Sequence, residues 1–163
     1  MSLANRARSL TANKLTFIRD TRLILDCKSM KIQKGELVLL TGPNGSGKTT
    51  LLKILAGLIT ADTGEFMLGE KRFTSFKAPK YLIGKCIYLH QTPYMFRGTV
   101  LQNLSYGLRR KGLKNNEVRP LINQAIRKNK LSHLTERMAS TLSAGEQHQV
   151  ALVRAQILKP PVL

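Results

Sequence analysis

The sequence predicts an α/β domain, and three observations support that fold class. An apolar run at residues 36–40, ELVLL, is typical of a buried strand. A glycine-rich turn at residues 42–47 follows it, and apolar positions suited to one helix face follow the turn. Strand-like and helix-like segments then continue through a chain of 163 residues, a length that suits one domain. Together they predict a mainly parallel buried sheet covered by helices.

The first half of the chain reads as short strands. Residues 1–12 are polar and are expected to be flexible. The runs at 14–18 and 22–32 predict two strands joined by a turn, and residues 65–68 predict another that ends at Gly69. The segment 71–82 is basic and reads as irregular, whereas residues 84–90 read as a further strand.

The second half reads as helices. Thr99 and Gln102 form a capping-box pattern that opens a helix toward Leu108. A second helix is predicted over 117–128, with Pro120 in or near its first turn, where proline is tolerated. A second capping box, at residues 143–146, opens a helix that runs to about residue 158, and residues 162–163 resemble the opening of another strand.

Composition narrows the class of protein. No apolar run approaches the roughly 20 residues that a membrane span needs, and the first residues lack the apolar stretch of a secretory signal. Cys27 and Cys86 have no metal-ligand spacing and fit a reducing compartment, where we expect them to be core-packing residues. These features predict a soluble, cytoplasmic protein.

The formal net charge of +18 has two interpretations. One is an anionic partner, either nucleic acid or a membrane surface. The other, which we favour, is a solvated basic surface on a domain whose acidic residues lie elsewhere. Interleaved aromatic residues, which single-strand binders use for base stacking, are not evident in the sequence.

Residues 42–50, GPNGSGKTT, fit the phosphate-loop pattern G-x-x-x-x-G-K-[ST]. Glycines at 42, 45 and 47 allow a tight turn that aims backbone N–H groups at an anion, and the following helix adds its positive N-terminal end. Lys48 can reach the outer phosphates, and the Thr49 hydroxyl can bind Mg²⁺. The pattern predicts that a nucleoside triphosphate binds here.

From residue 14 onward the chain resembles the ATP-binding cassette (ABC) family of transporter ATPases. Three motifs occur in the family's order: GPNGSGKTT, the glutamine Gln91 at the end of a strand-like run, and LSAGEQ at residues 142–147, which is similar to the family signature LSGGQ. Ala144 replaces the commoner glycine, and Gln149 stands where the family often has arginine.

The resemblance implies a phosphate-loop NTPase core of the ABC type, with an antiparallel β subdomain and a helical signature subdomain at about 99–145. Residues 13–163 would be a partial ATP-binding domain, incomplete at the C-terminus. The family's next strand ends in Asp-Glu, which hold Mg²⁺ and polarise the attacking water; this sequence stops before it, so no catalytic residue is expected within it and we predict weak binding without hydrolysis.

The resemblance also assigns the site residues, with ATP and Mg²⁺ as the ligands. Thr49 and Gln91 would hold Mg²⁺. Phe17 or Arg19 would stack on adenine. Signature residues 143–147 would reach the γ-phosphate of ATP on a second copy, in a homodimer. The residues expected to contact ATP are Gly42, Pro43, Asn44, Gly45, Ser46, Gly47, Lys48, Thr49, Thr50 and Gln91, and those of the signature are Ser143, Ala144, Gly145, Glu146 and Gln147.

The implied function is the ATP-binding subunit of a membrane transporter, peripheral on the inner face of the membrane and partnered by a transmembrane permease. Residues 88–108 resemble importers of the phosphate, molybdate and tungstate kind, whereas the opening resembles the haem exporter of cytochrome c maturation. Two alternatives stay open: a cassette ATPase acting on nucleic acid or the ribosome, and a vestigial, non-catalytic protein. Nucleic acid is the less expected partner.

Overall fold

The computed structural model describes residues 9–163, which fold as two compact units. The first unit comprises residues up to Tyr88 together with Val162, and the second comprises residues 89–161 with Leu163. The predicted flexible N-terminus lies outside the described residues as far as residue 8. Residues 10–12 already belong to the first strand.

The first unit is built on a four-stranded antiparallel sheet of order β2-β1-β3-β4. Its strands are β1 (Leu10–Arg19), β2 (Arg22–Ile32), β3 (Thr63–Leu68) and β4 (Lys71–Thr74). Asp20 and Thr21 turn β1 into β2, and both take left-handed φ angles of 50° and 64°. Such a turn twists in the same sense as the strands it joins, which keeps the hairpin in register.

Two helices complete the first unit. Helix α1 (Lys48–Leu55) follows the glycine-rich loop, and the short helix α2 (Ala78–Leu82) follows a 3-10 turn at Ser75–Lys77. Alternate inward residues of the strands pack with the apolar face of α1 to form the core, which includes Leu10, Leu15, Leu51, Ile54, Phe66, Phe73 and Leu82. Burial of these side chains supplies the main driving force for folding this unit.

The second unit is helical. It contains α3 (Val100–Arg110), α4 (Asn115–Lys128) and α5 (Ala144–Ile157), with 3-10 turns at Ser132–Leu134 and Ala139–Thr141. Its core is aliphatic and includes Val100, Leu104, Val118, Ile122, Leu131, Val150 and Val153. No helix in the described part of the chain is long and apolar enough to cross a membrane.

Several sequence predictions are confirmed. The β1–β2 hairpin, β3 and all three helices of the second unit form where the patterns indicated. Both capping boxes are present: the Thr99 hydroxyl accepts the N–H of Gln102, and the Ser143 hydroxyl accepts that of Glu146.

Other predictions are wrong. Residues 36–40 form no strand, and Leu37 and Leu39 are 97% and 84% exposed. Parallel pairing among the described residues is confined to isolated bridges that join Cys86 to Ile83 and to Val162, so the predicted parallel sheet is absent. A buried strand of this kind needs hydrogen-bonded neighbours on both sides, and no described strand pairs with residues 36–40.

Two local predictions also need correction. The segment 71–82 is not irregular, since it contains β4 and α2. Helix α4 begins at Asn115 instead of residue 117, so Pro120 lies inside the helix and not in its first turn. The earlier start is stabilised by Glu117, whose carboxylate accepts the backbone N–H of Lys114 at 2.8 Å.

Candidate nucleotide-binding site

The loop that precedes α1 has the backbone of an anion cradle. Its three glycines take positive φ angles: 149° at Gly42, 82° at Gly45 and 84° at Gly47. Between them, Ser46 donates its N–H to the carbonyl of Pro43 at 3.3 Å and closes a turn. Successive N–H groups in such a turn make a concave surface that attracts negative charge.

Gly47 is the position where the loop approaches the sheet most closely. A Cβ at residue 47 would lie 2.7 Å from the carbonyl oxygen of Ile24 in β2, a distance that side-chain carbons do not tolerate. A Cβ at Gly45 would meet nothing within 4 Å. The sequence pattern requires glycine at 47, and the structure supplies two reasons: the left-handed φ and the contact with β2.

Lys48 is the first residue of α1 and folds back over the loop. Its Nζ donates to the carbonyl oxygens of Gly42 at 2.8 Å and Pro43 at 2.7 Å. It also lies 3.4 Å from the Ser46 hydroxyl. These contacts place the ammonium group directly beside the backbone that forms the cradle.

The remaining residues of the motif are accessible. Pro43, Asn44 and Thr49 are exposed, and Thr50 is half-buried. Gly47 caps α1 without a side chain, so the first N–H groups of the helix receive no capping side-chain oxygen from it. An exposed helix N-terminus beside an ammonium group binds phosphate readily.

The two adenine-stacking candidates have different surroundings. Phe17 is half-buried and packs against the core of the first unit. The Arg19 side chain is 76% exposed and lies 3.9 Å from Asp20. Ile18 and Leu23 form a cross-strand pair at the same end of the hairpin, and each is about half exposed. No sequence motif marks either residue. Only the register between β1 and β2 shows that these two residues are neighbours.

The signature residues form the N-terminus of α5. Ser143, Ala144 and Gly145 are exposed, and a Cβ at Gly145 would meet nothing within 4 Å. Ser143 is the N-cap, and its backbone N–H donates to the Glu146 carboxylate at 2.7 Å. Gln147 donates its side-chain amide to the carbonyl of Leu142 at 3.1 Å. The first turn is therefore held by side-chain hydrogen bonds and presents its backbone to solvent.

Glu146 is further fixed by Arg137, whose Nη1 lies 3.0 Å from the Glu146 carboxylate and whose Nη2 donates to the carbonyl of Thr141 at 2.8 Å. Hydrogen bonds from the backbone and side chain of Ser143, followed by the charge of Arg137, hold the pKa of Glu146 below its usual value. The carboxylate therefore stays ionised at neutral pH while it caps the helix.

Gln91 lies in the second unit with the signature residues. Its side chain is exposed, and its backbone carbonyl lies 2.6 Å from Nε2 of His148 on α5. The other ring nitrogen of His148, Nδ1, lies 2.8 Å from the carbonyl of Ala144. Nearby, Arg154 of α5 donates a hydrogen bond to the carbonyl oxygen of Tyr94 at 2.8 Å.

Asn103 and Arg154 support the site, although no sequence pattern predicted a role for either residue. Asn103 is fully buried and bonds to both the N–H and the carbonyl of Phe96, to the carbonyl of Thr99 and to Arg154. Arg154 lies 4.7 Å from the centre of the Phe96 ring, and burial lowers its pKa. The two residues lie 51 positions apart in the sequence, so no local motif could have predicted their hydrogen bond, and only the fold shows it.

The predicted site residues are thus divided between the two units. The first unit carries residues 42–50 and both adenine candidates, whereas the second carries Gln91 and residues 143–147. Within the second unit the structure brings Gln91 and the signature helix into direct contact through His148. A phosphate-loop motif together with a signature-type helical unit defines the class as an α/β phosphate-loop domain of the ABC type.

Comparison with known proteins confirms this class. The model of the ABC transporter family matches residues 25–163, so the chain belongs to that family. Two solved structures share its fold. One is MJ1267, an ATP-binding cassette of an ABC transporter, with a TM-score of 0.76 and 29% identity over 93% of this chain and 65% of that one. The other is cbiO1 from Clostridium perfringens, part of the ABC transporter complex cbiONQ, with a TM-score of 0.80 and 24% identity over 93% of this chain and 62% of that one.

Curated relatives are subunits of importers. The spermidine/putrescine import ATP-binding protein PotA of Haemophilus influenzae is 35% identical over 86% of this chain and 37% of the relative. The Fe(3+) ions import ATP-binding protein FbpC of Fusobacterium nucleatum is 34% identical over 86% of this chain and 38% of the relative. The chain therefore spans a little over a third of the length of these relatives. They do not favour the alternative of a cassette acting on nucleic acid.

Proposed function

We propose that this chain is the nucleotide-binding part of an ABC importer ATPase and that residues 42–50 bind ATP with Mg²⁺. The observation that carries the proposal is the position of Lys48, whose Nζ lies against the loop carbonyls of Gly42 and Pro43. A phosphate bound by the loop N–H groups would meet that ammonium group directly. Charge-assisted hydrogen bonds of this kind are among the strongest that a protein can offer.

The family resemblance assigns Mg²⁺ binding to Thr49 through its hydroxyl and to Gln91 through its side-chain oxygen. Both side chains are exposed and supply the hard oxygen atoms that Mg²⁺ prefers. When bound, Mg²⁺ would neutralise charge on the phosphate oxygens. Mg²⁺ needs few protein ligands, because it usually keeps several waters and binds phosphate directly.

Adenine would lie at the turn end of the β1–β2 hairpin. Of the two candidates, Arg19 has its guanidinium plane accessible, whereas Phe17 is half-buried against the core. We therefore propose Arg19 as the stacking residue, with Ile18 and Leu23 as an apolar surface beside it.

The signature residues would act on a second copy of the chain. Ser143 and Gly145 expose the N-terminus of α5, whose N–H groups and positive dipole end favour an anion. In a homodimer they would contact the γ-phosphate of the nucleotide held by the partner's loop. Ala144 would be tolerated in place of glycine because it is exposed at the first helical position.

The whole protein would couple ATP hydrolysis to import through a transmembrane permease at the inner face of the membrane. The residues described above would bind and position ATP. Relatives with similar identity to this chain carry different cargoes, a polyamine and Fe(3+). We therefore assign no cargo to the cassette itself.

Titration calorimetry tests the binding step. We expect the chain to bind ATP in the presence of Mg²⁺, and Lys48→Ala to weaken binding at least tenfold by removing a charge-assisted contact with phosphate. Lys53→Ala is the matched control, since Lys53 lies in the last turn of the same helix and its Nζ is 6.0 Å from the Tyr88 ring centre. Equal affinity of native chain and Lys48→Ala would contradict the proposal.

A further inference from the structure

We propose that His148 is a positioning residue that ties the segment around Gln91 to the first turn of the signature helix, so that the two respond to nucleotide together. This inference rests on the proposed function, in which Gln91 and the signature residues both face nucleotide. The contacts that form the tie all lie within the second unit.

The tie consists of two contacts that one imidazole ring makes with backbone carbonyl oxygens. Nδ1 lies 2.8 Å from the carbonyl oxygen of Ala144, one helical turn earlier on α5. This contact fixes the plane of the ring. It aims Nε2 at the carbonyl oxygen of Gln91, 2.6 Å away and 57 residues distant in sequence. Since a carbonyl oxygen can only accept, each ring nitrogen must carry a proton for its contact to be a hydrogen bond, so the ring makes both bonds only in its doubly protonated form.

A second hydrogen bond attaches the segment 91–94 to α5 at another point. Arg154, further along α5, donates to the carbonyl of Tyr94 at 2.8 Å. Pro93 is buried between the two attachment points. Arg154 is itself held by Asn103, at 3.1 Å, and would stay in place if His148 were changed. Loss of His148 would therefore release Gln91 while the segment remains attached at Tyr94.

The position of the tie gives it a function. Ala144 is the residue next to Ser143, whose hydroxyl caps α5, and Gln91 carries the side chain proposed to bind Mg²⁺. His148 thus joins the backbone of the proposed magnesium ligand to the backbone of the proposed γ-phosphate site. A displacement of Gln91 would pass to the signature turn through one rigid ring.

Two isosteric substitutions separate the two hydrogen bonds. The amide nitrogen of glutamine can occupy the place of Nε2, so His148→Gln retains the bond to Gln91. The shorter asparagine places its amide nitrogen near the position of Nδ1, so His148→Asn retains only the bond to Ala144. His133→Asn is the matched control, because His133 is exposed in the 3-10 turn at Ser132–Leu134.

Hydrogen exchange of the full chain tests the tie without nucleotide. We expect the amides of Gln91, Thr92 and Tyr94 to exchange about fivefold faster in His148→Asn, the effect of losing one net hydrogen bond. His148→Gln should restore native exchange, and His133→Asn should leave it unchanged. Native exchange rates in His148→Asn would overturn the proposal.

The same variants with MgATP test the coupling. In the native chain and His148→Gln, nucleotide should alter exchange at residues 143–147, whereas His148→Asn should lose that response while its affinity, measured by calorimetry, stays within about twofold of native. A response that persists in His148→Asn would overturn the coupling. Absence of MgATP binding by the native chain would instead refute the proposed function, and the nucleotide-free comparison would still decide the tie.

The ¹⁵N signals of the His148 ring in the native chain provide a measurement that does not depend on any variant folding. A protonated Nε2 whose hydrogen exchanges slowly supports the bond to Gln91. An Nε2 without a proton would overturn the proposal.

Discussion

Replacement of Gly47 by alanine separates two effects that the phosphate-loop motif combines. The left-handed φ of 84° costs a non-glycine residue about 1–2 kcal/mol. The added Cβ would also lie 2.7 Å from the Ile24 carbonyl oxygen, so loop or strand must shift. Overpacking of this kind costs about 1–3 kcal/mol. We expect Gly47→Ala to lower the free energy of unfolding by about 2–5 kcal/mol.

Two matched controls isolate the steric part of that loss. Gly35 and Gly45 have φ angles of 75° and 82°, and a Cβ at either position would meet nothing within 4 Å. Their alanine variants should lose only the conformational part, about 1–2 kcal/mol. Urea unfolding of the three variants measures the difference. If Gly47→Ala is no less stable than Gly35→Ala, the contact with β2 does not constrain the loop and our explanation of this glycine fails.

Three further predictions concern Asn103, Glu146 and the two cysteines. Asn103→Ala should lower the free energy of unfolding in urea by about 2–4 kcal/mol, because it leaves buried partners unpaired. Asn123 is exposed, so Asn123→Ala should change stability by less than about 0.5 kcal/mol. Similar losses for the two variants would contradict the role of Asn103. Folding lowers the pKa of Glu146, so the ionised carboxylate stabilises the fold above its ordinary pKa of 4.5, and this stabilisation is lost as pH falls through the lower pKa of the folded state. The difference in stability between the native chain and Glu146→Gln should therefore shrink on acidification. A difference that is constant with pH would refute this. Burial raises the pKa of the Cys86 thiol to about 11. A maleimide at pH 8 should therefore modify the half-buried Cys27 well before Cys86. The reverse order would be inconsistent with the structure.

The features that the sequence predicted well are those set by local chemistry. Thr99 and Ser143 each cap a helix through a residue three positions later, so a short pattern contains the whole interaction. The phosphate loop is similar, because glycine spacing alone indicates where positive φ angles are needed. These patterns also carried the family resemblance, which the matching family model confirms.

The features that the sequence predicted poorly depend on distant partners. The run at residues 36–40 has the composition of a buried strand, but a strand forms only where neighbouring strands supply hydrogen bonds, and Leu37 is exposed instead. The strand β4 was not predicted within segment 71–82, because that segment is basic and because half of a strand's side chains can be polar and face solvent. The contact between His148 and Gln91 spans 57 residues and follows no spacing rule.

Backbone amide shifts during titration with MgATP test the central claim most directly, because the claim is that the N–H groups of residues 42–50 form the triphosphate cradle. We predict that the largest shifts fall on Gly45, Gly47, Lys48 and Thr49, and that Lys48→Ala reduces them at equal nucleotide concentration. Saturable binding that shifts amides elsewhere and leaves these four unchanged would contradict the claim.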